Sequence, residues 1–84
     1  MKRVRMYTAG YCPFCTQAKR LLASKGVTPE EVHVDRDPAV RQEMMSKTGR
    51  RTVPQIYVGE THVGGFDDLA ALERAGGLDP LLKD

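Results

Sequence analysis

The sequence predicts an α/β fold: a mixed four-stranded sheet with helices on both faces, in the order β-α-β-α-β-β-α. Three observations carry that prediction. Short alternating runs such as Arg3–Thr8 give way to helical spacing after Pro13 and again after Pro38. Glycines stand where each helical pattern stops, at Gly26, Gly49 and Gly76-Gly77. Only Gly59-Glu60 joins two strand-like runs closely enough for a hairpin, so those strands must be antiparallel. The first β-α-β unit should be parallel with a right-handed crossover.

Taken in order, Arg3 to Thr8 alternates polar and apolar residues, with Val4 and Met6 on one face. Gly10 breaks the strand. Phe14, Ala18, Leu21, Leu22 and Lys25 then fall on one helical stripe, apolar in all but the last position. Pro13 suits the first helical position, where its missing N–H costs nothing. Val32-His33-Val34 reads as the second strand. Asp37 can cap a second helix opened by Pro38, with Val40, Met44 and Thr48 facing inward. Val53 to Val58 reads as the third strand, and Thr61-His62-Val63 as the fourth. Asp67 or Asp68 caps a third helix that buries Leu69 and Leu72. Leu78 to Leu82 forms a last helical turn or two, docking Leu78, Leu81 and Leu82.

The 84 residues make one domain, spanning 1–84, with no repeat or linker. Its hydrophobic fraction of 40% and charged fraction of 29% are those of an ordinary globular domain. With 13 Lys+Arg against 11 Asp+Glu, the net charge of +2 argues against a polyanionic partner such as nucleic acid. The pairs Lys2-Arg3, Lys19-Arg20 and Arg50-Arg51 read as solvated faces. The N-terminus carries charges without the apolar run of a signal peptide, and no stretch approaches a membrane span. The cytoplasm is therefore the expected compartment, where thiols are held reduced.

Both cysteines lie in Tyr11-Cys12-Pro13-Phe14-Cys15. They are too close in sequence to staple distant parts of the fold, so their role is chemical. Cys12 would sit just before the first helix. The free N–H groups and the positive end of the dipole there stabilise a thiolate. Cys15, one turn on, faces back towards Cys12, and the spacing permits a reversible disulfide ring. Cys12 is then the nucleophile and Cys15 the resolving thiol of a thiol–disulfide exchange. The competing reading is half of a metal site. Zinc usually takes four ligands, and there is no second Cys-x-x-Cys to complete the set. His33 and His62 are expected as strand residues, not ligands, and no metal site is assigned.

Two further stretches stand out. In Thr52-Val53-Pro54 a proline opens an otherwise good strand. Either the Val53–Pro54 bond is cis, exposing the Val53 backbone to an extended ligand, or an edge strand begins with a trans proline. Gly64-Gly65-Phe66-Asp67-Asp68 reads first as a loop with an Asp-capped helix. Its second reading is a ligand site, with helix N–H groups meeting a carboxylate and an Asp meeting an ammonium.

These stretches, in this order and over essentially the whole chain, resemble the glutaredoxins, which have a thioredoxin-like fold and use glutathione. The resemblance rests on Tyr7-Thr8, Cys12-Pro13-Phe14-Cys15, Thr52-Val53-Pro54-Gln55-Ile56, Gly64-Gly65 with Asp67-Asp68-Leu69, and Gly77-Leu78-Asp79-Pro80-Leu81-Leu82. It is similar in particular to the short bacterial dithiol class. It implies a cis Pro54 and a redox-active Cys12–Cys15 disulfide. It also implies a glutathione groove in which Cys12 forms the mixed disulfide and the Val53 backbone pairs with the cysteinyl part. Gly65, Phe66, Asp67 and Asp68 would meet the γ-glutamyl end, with Asp68 near its ammonium. Arg41 would meet the glycine carboxylate, and Phe14, Thr52 and Pro54 complete the groove.

The implied function is a glutathione-dependent thiol–disulfide oxidoreductase acting on protein disulfides and protein–glutathione mixed disulfides. Glutathione is its co-substrate and no cofactor is tightly bound. Its partners would be glutathione and disulfide-bonded or glutathionylated proteins, with ribonucleotide reductase among them, and no nucleic acid or membrane. A monomer is expected. Two alternatives stand beside it: a glutathione-independent redoxin reduced by a flavoprotein reductase, and a non-enzymatic carrier of an iron–sulfur cluster or soft metal. The chain departs from the family at three places. Phe14 stands where Tyr is frequent, Ala9 where Lys is common, and Phe66 where many relatives have Cys. With Ala9 and Phe14 beside Cys12, more of the thiolate stabilisation is left to the helix N-terminus, and Phe66 leaves no third thiol for oxidation or dimerisation.

Overall fold

A computed structural model describes residues 1–83. Its sheet has the order β2-β1-β3-β4, made of β1 (Val4–Thr8), β2 (Glu30–His33), β3 (Gln55–Val58) and β4 (Thr61–Gly64). Strand β1 runs parallel to β2 and antiparallel to β3, and β3 is antiparallel to β4. Helix α1 (Pro13–Ser24) crosses from β1 to β2, and α2 (Pro38–Thr48) leads from β2 to β3. Helices α3 (Phe66–Arg74) and α4 (Leu78–Leu82) complete the order.

The sheet is covered on both faces, as the sequence predicts. On one side Val4, Met6, Ile56 and Val58 pack with Ala18 and Leu22 of α1, Leu69 of α3, and Leu78 and Leu82 of α4. On the other, Tyr7 and Val34 pack with Met44 of α2. Strand β1 lies inside the sheet, so its two faces enter different cores: Met6 is fully buried in the first and Tyr7 is 2% exposed in the second. The Tyr7 hydroxyl reaches through to donate a 2.5 Å hydrogen bond to Glu43 Oε2. Each fully buried aliphatic side chain contributes on the order of 1.5–3 kcal/mol.

Several boundaries differ from those expected. Strand β2 ends at His33, but Val34 is still buried and its N–H donates to the Thr8 carbonyl at 2.9 Å. Strand β3 starts at Gln55, not Val53, because the Val53–Pro54 bond is cis and Pro54 has no N–H to offer the ladder. Phe14 is not part of the buried stripe of α1 but 55% exposed, because Cys15 takes the inward position of that first turn. Lys25, at the end of the stripe, turns its ammonium to Glu73 at 2.6 Å and Asp79 at 3.2 Å, tying α1 to α3 and α4. In α2 only Met44 is fully buried, while Val40 and Thr48 are half-buried. Among the described residues, no helix is long and apolar enough to cross a membrane.

Candidate functional site

Cys12 is the N-cap of α1, with extended backbone at φ −153° and ψ 99°. Pro13 follows at the first helical position. This puts the Cys12 sulfur over the open N–H groups of the first turn, and the Cys15 N–H donates to it at 3.2 Å. No acidic side chain lies in that first turn. Excess charge on the sulfur is therefore met by a hydrogen bond and the helix dipole without a repelling carboxylate.

Cys15 is 2% exposed and belongs to the main core, whereas Cys12 is half-buried. The two sulfurs stand at disulfide distance, with Cα atoms 5.2 Å apart. Of the two sulfurs, that of Cys12 belongs to the more accessible residue. The loop before Cys12 is tied to the end of β2, since the Gly10 N–H donates to Asp35 Oδ2 at 2.9 Å. That bond is the main cause holding the Asp35 carboxyl below the ordinary carboxylate range.

The opposite wall is the segment before β3. The Val53 carbonyl oxygen lies 3.8 Å from Cys12 Sγ. The wall is braced from behind by Gln55, which is fully buried. Its Nε2 donates to the Thr52 carbonyl at 3.0 Å, and its Oε1 meets His62 Nε2 at 2.8 Å. Because the amide nitrogen faces Thr52, the amide oxygen must accept, and His62 Nε2 carries the proton. The His62 ring stacks on Tyr57 at 5.0 Å. Burial chiefly, and the Arg50 charge next, hold its imidazole below the ordinary range.

The third side is the start of α3, and here the expected cap is corrected. The N-cap is Gly65, not Asp67 or Asp68. Asp68, three residues in, reaches back instead: its Oδ2 accepts the Gly65 N–H at 2.9 Å. The same oxygen accepts from Arg50 Nη1 at 2.8 Å. The Arg50 bond first, and the Gly65 N–H second, hold the Asp68 carboxyl below its usual range. Phe66 stacks on Phe14, ring centres 6.3 Å apart and planes 23° from parallel. The pair bridges the start of α3 to the start of α1.

These walls enclose an open cleft of about 320 Å³. Cys12 does not line this cleft, but Cys12 Sγ lies 3.8 Å from the carbonyl oxygen of Val53, which does. Phe14, Thr52, Val53, Pro54, Gly65, Phe66, Asp67 and Asp68 line it, all of them among the residues singled out from sequence. Arg41 does not line it. Its Nη1 donates to the Arg51 carbonyl at 3.3 Å. The cleft's ninth residue is Arg50, which sequence reading placed on a solvated face. The available signal was its position directly after Gly49, the left-handed C-cap of α2 at φ 71°, where the chain turns back towards the sheet.

A sequence profile of the glutaredoxin family matches residues 4–63. The chain is 53% identical over 83 residues to glutaredoxin 3 of Escherichia coli strain K12, covering 99% of this chain and all of that protein. The solution structure of the Brucella melitensis glutaredoxin superposes with a TM-score of 0.87 at 51% identity, covering 99% of this chain and 90% of the other. The crystal structure of a buckwheat glutaredoxin–glutathione complex superposes with a TM-score of 0.89 at 28% identity, over 96% of this chain and 76% of that one. A full-length match in sequence, a shared fold and a Cys-x-x-Cys pair held at a helix N-terminus agree, and the chain belongs to the glutaredoxin family.

Proposed function

We propose that the protein is a glutathione-dependent disulfide oxidoreductase of the cytoplasm, acting as a monomer, and that the cleft beside Cys12 binds the glutathionyl half of its substrates. The observation that carries this reading is the 3.8 Å approach of Cys12 Sγ to the Val53 carbonyl at a cleft whose far end holds Asp68 and the N-terminus of α3. A tripeptide with its sulfur at Cys12 has its cysteinyl backbone beside Val53 and its γ-glutamyl ammonium near Asp68. Arg41, which does not line the cleft and whose guanidinium donates to the Arg51 carbonyl, would have to leave that bond to meet the glycine carboxylate. The buckwheat relative's complex with glutathione supports the assignment of ligand.

In the reaction, the Cys12 thiolate attacks the glutathionyl sulfur of a protein–glutathione mixed disulfide. The old S–S bond breaks, and its electron pair leaves with the protein sulfur, which takes up a proton. A second glutathione thiolate attacks the glutathionyl sulfur on Cys12, releasing glutathione disulfide and the Cys12 thiolate. With a protein disulfide, such as one in ribonucleotide reductase, Cys12 forms a mixed disulfide with the protein. The Cys15 thiolate then attacks Cys12 and expels the reduced protein. Two glutathiones reduce the resulting Cys12–Cys15 disulfide.

The test is reduction of a glutathionylated peptide and of a protein disulfide, each supplied with glutathione or with a flavoprotein reductase as the only reductant. Turnover should require glutathione. Cys12→Ser should abolish both reactions, and Cys15→Ser should keep deglutathionylation while losing protein disulfide reduction. Full turnover on the flavoprotein reductase alone, or equal loss in both variants, would overturn the reading.

A further inference from the structure

We propose that Arg50 is a specificity residue that makes the far end of the cleft select a zwitterionic α-amino acid group, by holding Asp68 when the cleft is empty and taking the ligand's α-carboxylate when it is filled. The inference rests on the glutathione reading above and adds to it a residue which that reading does not contain.

Both partners of the pair have fixed backbones. Arg50 follows the left-handed Gly49, and its N–H donates to Thr48 Oγ1 at 3.0 Å, while the Thr48 hydroxyl donates to the Met44 carbonyl at 2.7 Å. Asp68 is fixed by its bond to the Gly65 N–H. The guanidinium therefore meets the carboxylate across the cleft, 18 residues apart in the chain, and the two side chains stay 47% and 43% exposed. An ion pair that open to water is weak and easily exchanged for ligand contacts.

Charge counting shows what the exchange favours. This end of the cleft carries two carboxylates, Asp67 and Asp68, against one guanidinium. Without Arg50 it would attract an ammonium and repel a carboxylate. With Arg50 in place, a lone ammonium has to compete with the guanidinium for Asp68 and returns nothing to Arg50. A zwitterion replaces one ion pair by two: its ammonium goes to Asp68, and its carboxylate goes to Arg50 and the N–H groups opening α3. Both of these bonds to Asp68 use Oδ2, which leaves the accepting capacity of its other oxygen for an ammonium. The α-carbon of a γ-glutamyl group is such a zwitterion, whereas an ordinary N-terminal residue offers an ammonium alone.

The experiment compares three peptide mixed disulfides as substrates: with glutathione, with 4-aminobutyryl-Cys-Gly, which lacks the α-carboxylate, and with glutaryl-Cys-Gly, which lacks the ammonium. In Arg50→Gln the KM for the glutathionyl substrate should rise roughly tenfold, as for loss of one charge-assisted hydrogen bond. Its kcat should be unchanged, because Cys12 is untouched. The KM for the 4-aminobutyryl substrate should stay level or fall, since Asp68 is released to it. The KM for the glutaryl substrate should rise, and Arg50→Lys should recover part of the glutathionyl preference. An Arg50→Gln protein whose KM is unchanged for the glutathionyl substrate, or rises equally for all three, overturns the role of Arg50. If instead the unmodified protein turns over all three substrates alike, the glutathione reading itself has failed and the proposal falls with it.

Discussion

Asp68 joins the stability of the protein to the cleft proposed to bind glutathione, so replacing it should perturb both. Asp68→Ala removes the acceptor for the Gly65 N–H at 2.9 Å and the partner of Arg50 at 2.8 Å. Loss of a helix N-terminal cap of this kind costs about 1 kcal/mol. The Arg50 pair is nearly half exposed on both sides, which limits its part to about 0.2–1 kcal/mol. Together they amount to about 1–2 kcal/mol, or a fall in Tm of about 5–15 °C for a chain of this size. Asp68→Asn keeps an oxygen for the Gly65 N–H and should lose only the smaller part. The pH dependence has a definite sign. The folded protein holds the Asp68 carboxyl below its ordinary value of 3.8, so the native state favours the charged form. That stabilisation is present above the unfolded value and is lost as pH falls through the folded one. Thermal unfolding followed by circular dichroism at neutral and acidic pH, with the KM for a glutathionylated peptide, checks both halves. The stability gap between the natural protein and Asp68→Asn should close on acidification. A Tm and KM that match the natural protein at neutral pH would refute the double role.

Two other perturbations test the braces behind the site. Burial first, and the hydrogen bond to Glu43 second, push the Tyr7 hydroxyl up to about 12 from 10.0. A raised value means that the native state resists ionisation, so stability is full below pH 10 and falls as pH rises towards 12, by up to about 1.4 kcal/mol per unit. Tyr7→Phe should remove that slope in chemical denaturation measured across the same pH range, and a slope equal to that of the natural protein would count against it. His62→Ala deprives the fully buried Gln55 of the donor to its Oε1, at a cost of about 1–3 kcal/mol. It should also loosen the Thr52–Val53 wall, seen as faster amide exchange at Val53; exchange at the natural rate would show that the wall does not depend on this brace.

Much of the architecture follows from local patterns. Pro13 and Pro38 open their helices, Gly26 and Gly49 follow their ends, and the hairpin turns at Gly59-Glu60. What local patterns miss is decided by topology. The alternation in β1 marks Val4 and Met6 as buried but says nothing of Tyr7, which is covered only because α2 packs on the second face. Phe14 has the right helical phase for the core, yet the first turn of α1 projects to the cleft, and its ring meets Phe66 instead. Arg50 looks like half of a solvated basic pair until the chain returns 18 residues later to bring Asp68 opposite it. An N-cap at Gly65 is equally hard to foresee, since Asp67 and Asp68 are better cap residues by type and Asp68 instead acts from the third position.

The central claim, that Cys12 carries the glutathionyl group, is tested most directly by mass spectrometry of single-cysteine proteins exposed to glutathione disulfide. Cys15→Ser should rapidly acquire one glutathionyl group on Cys12 and lose it again when glutathione is added. Cys12→Ser, whose remaining thiol is buried, should stay unmodified over the same time. Equal labelling of the two proteins, or no labelling of Cys15→Ser, would contradict the account.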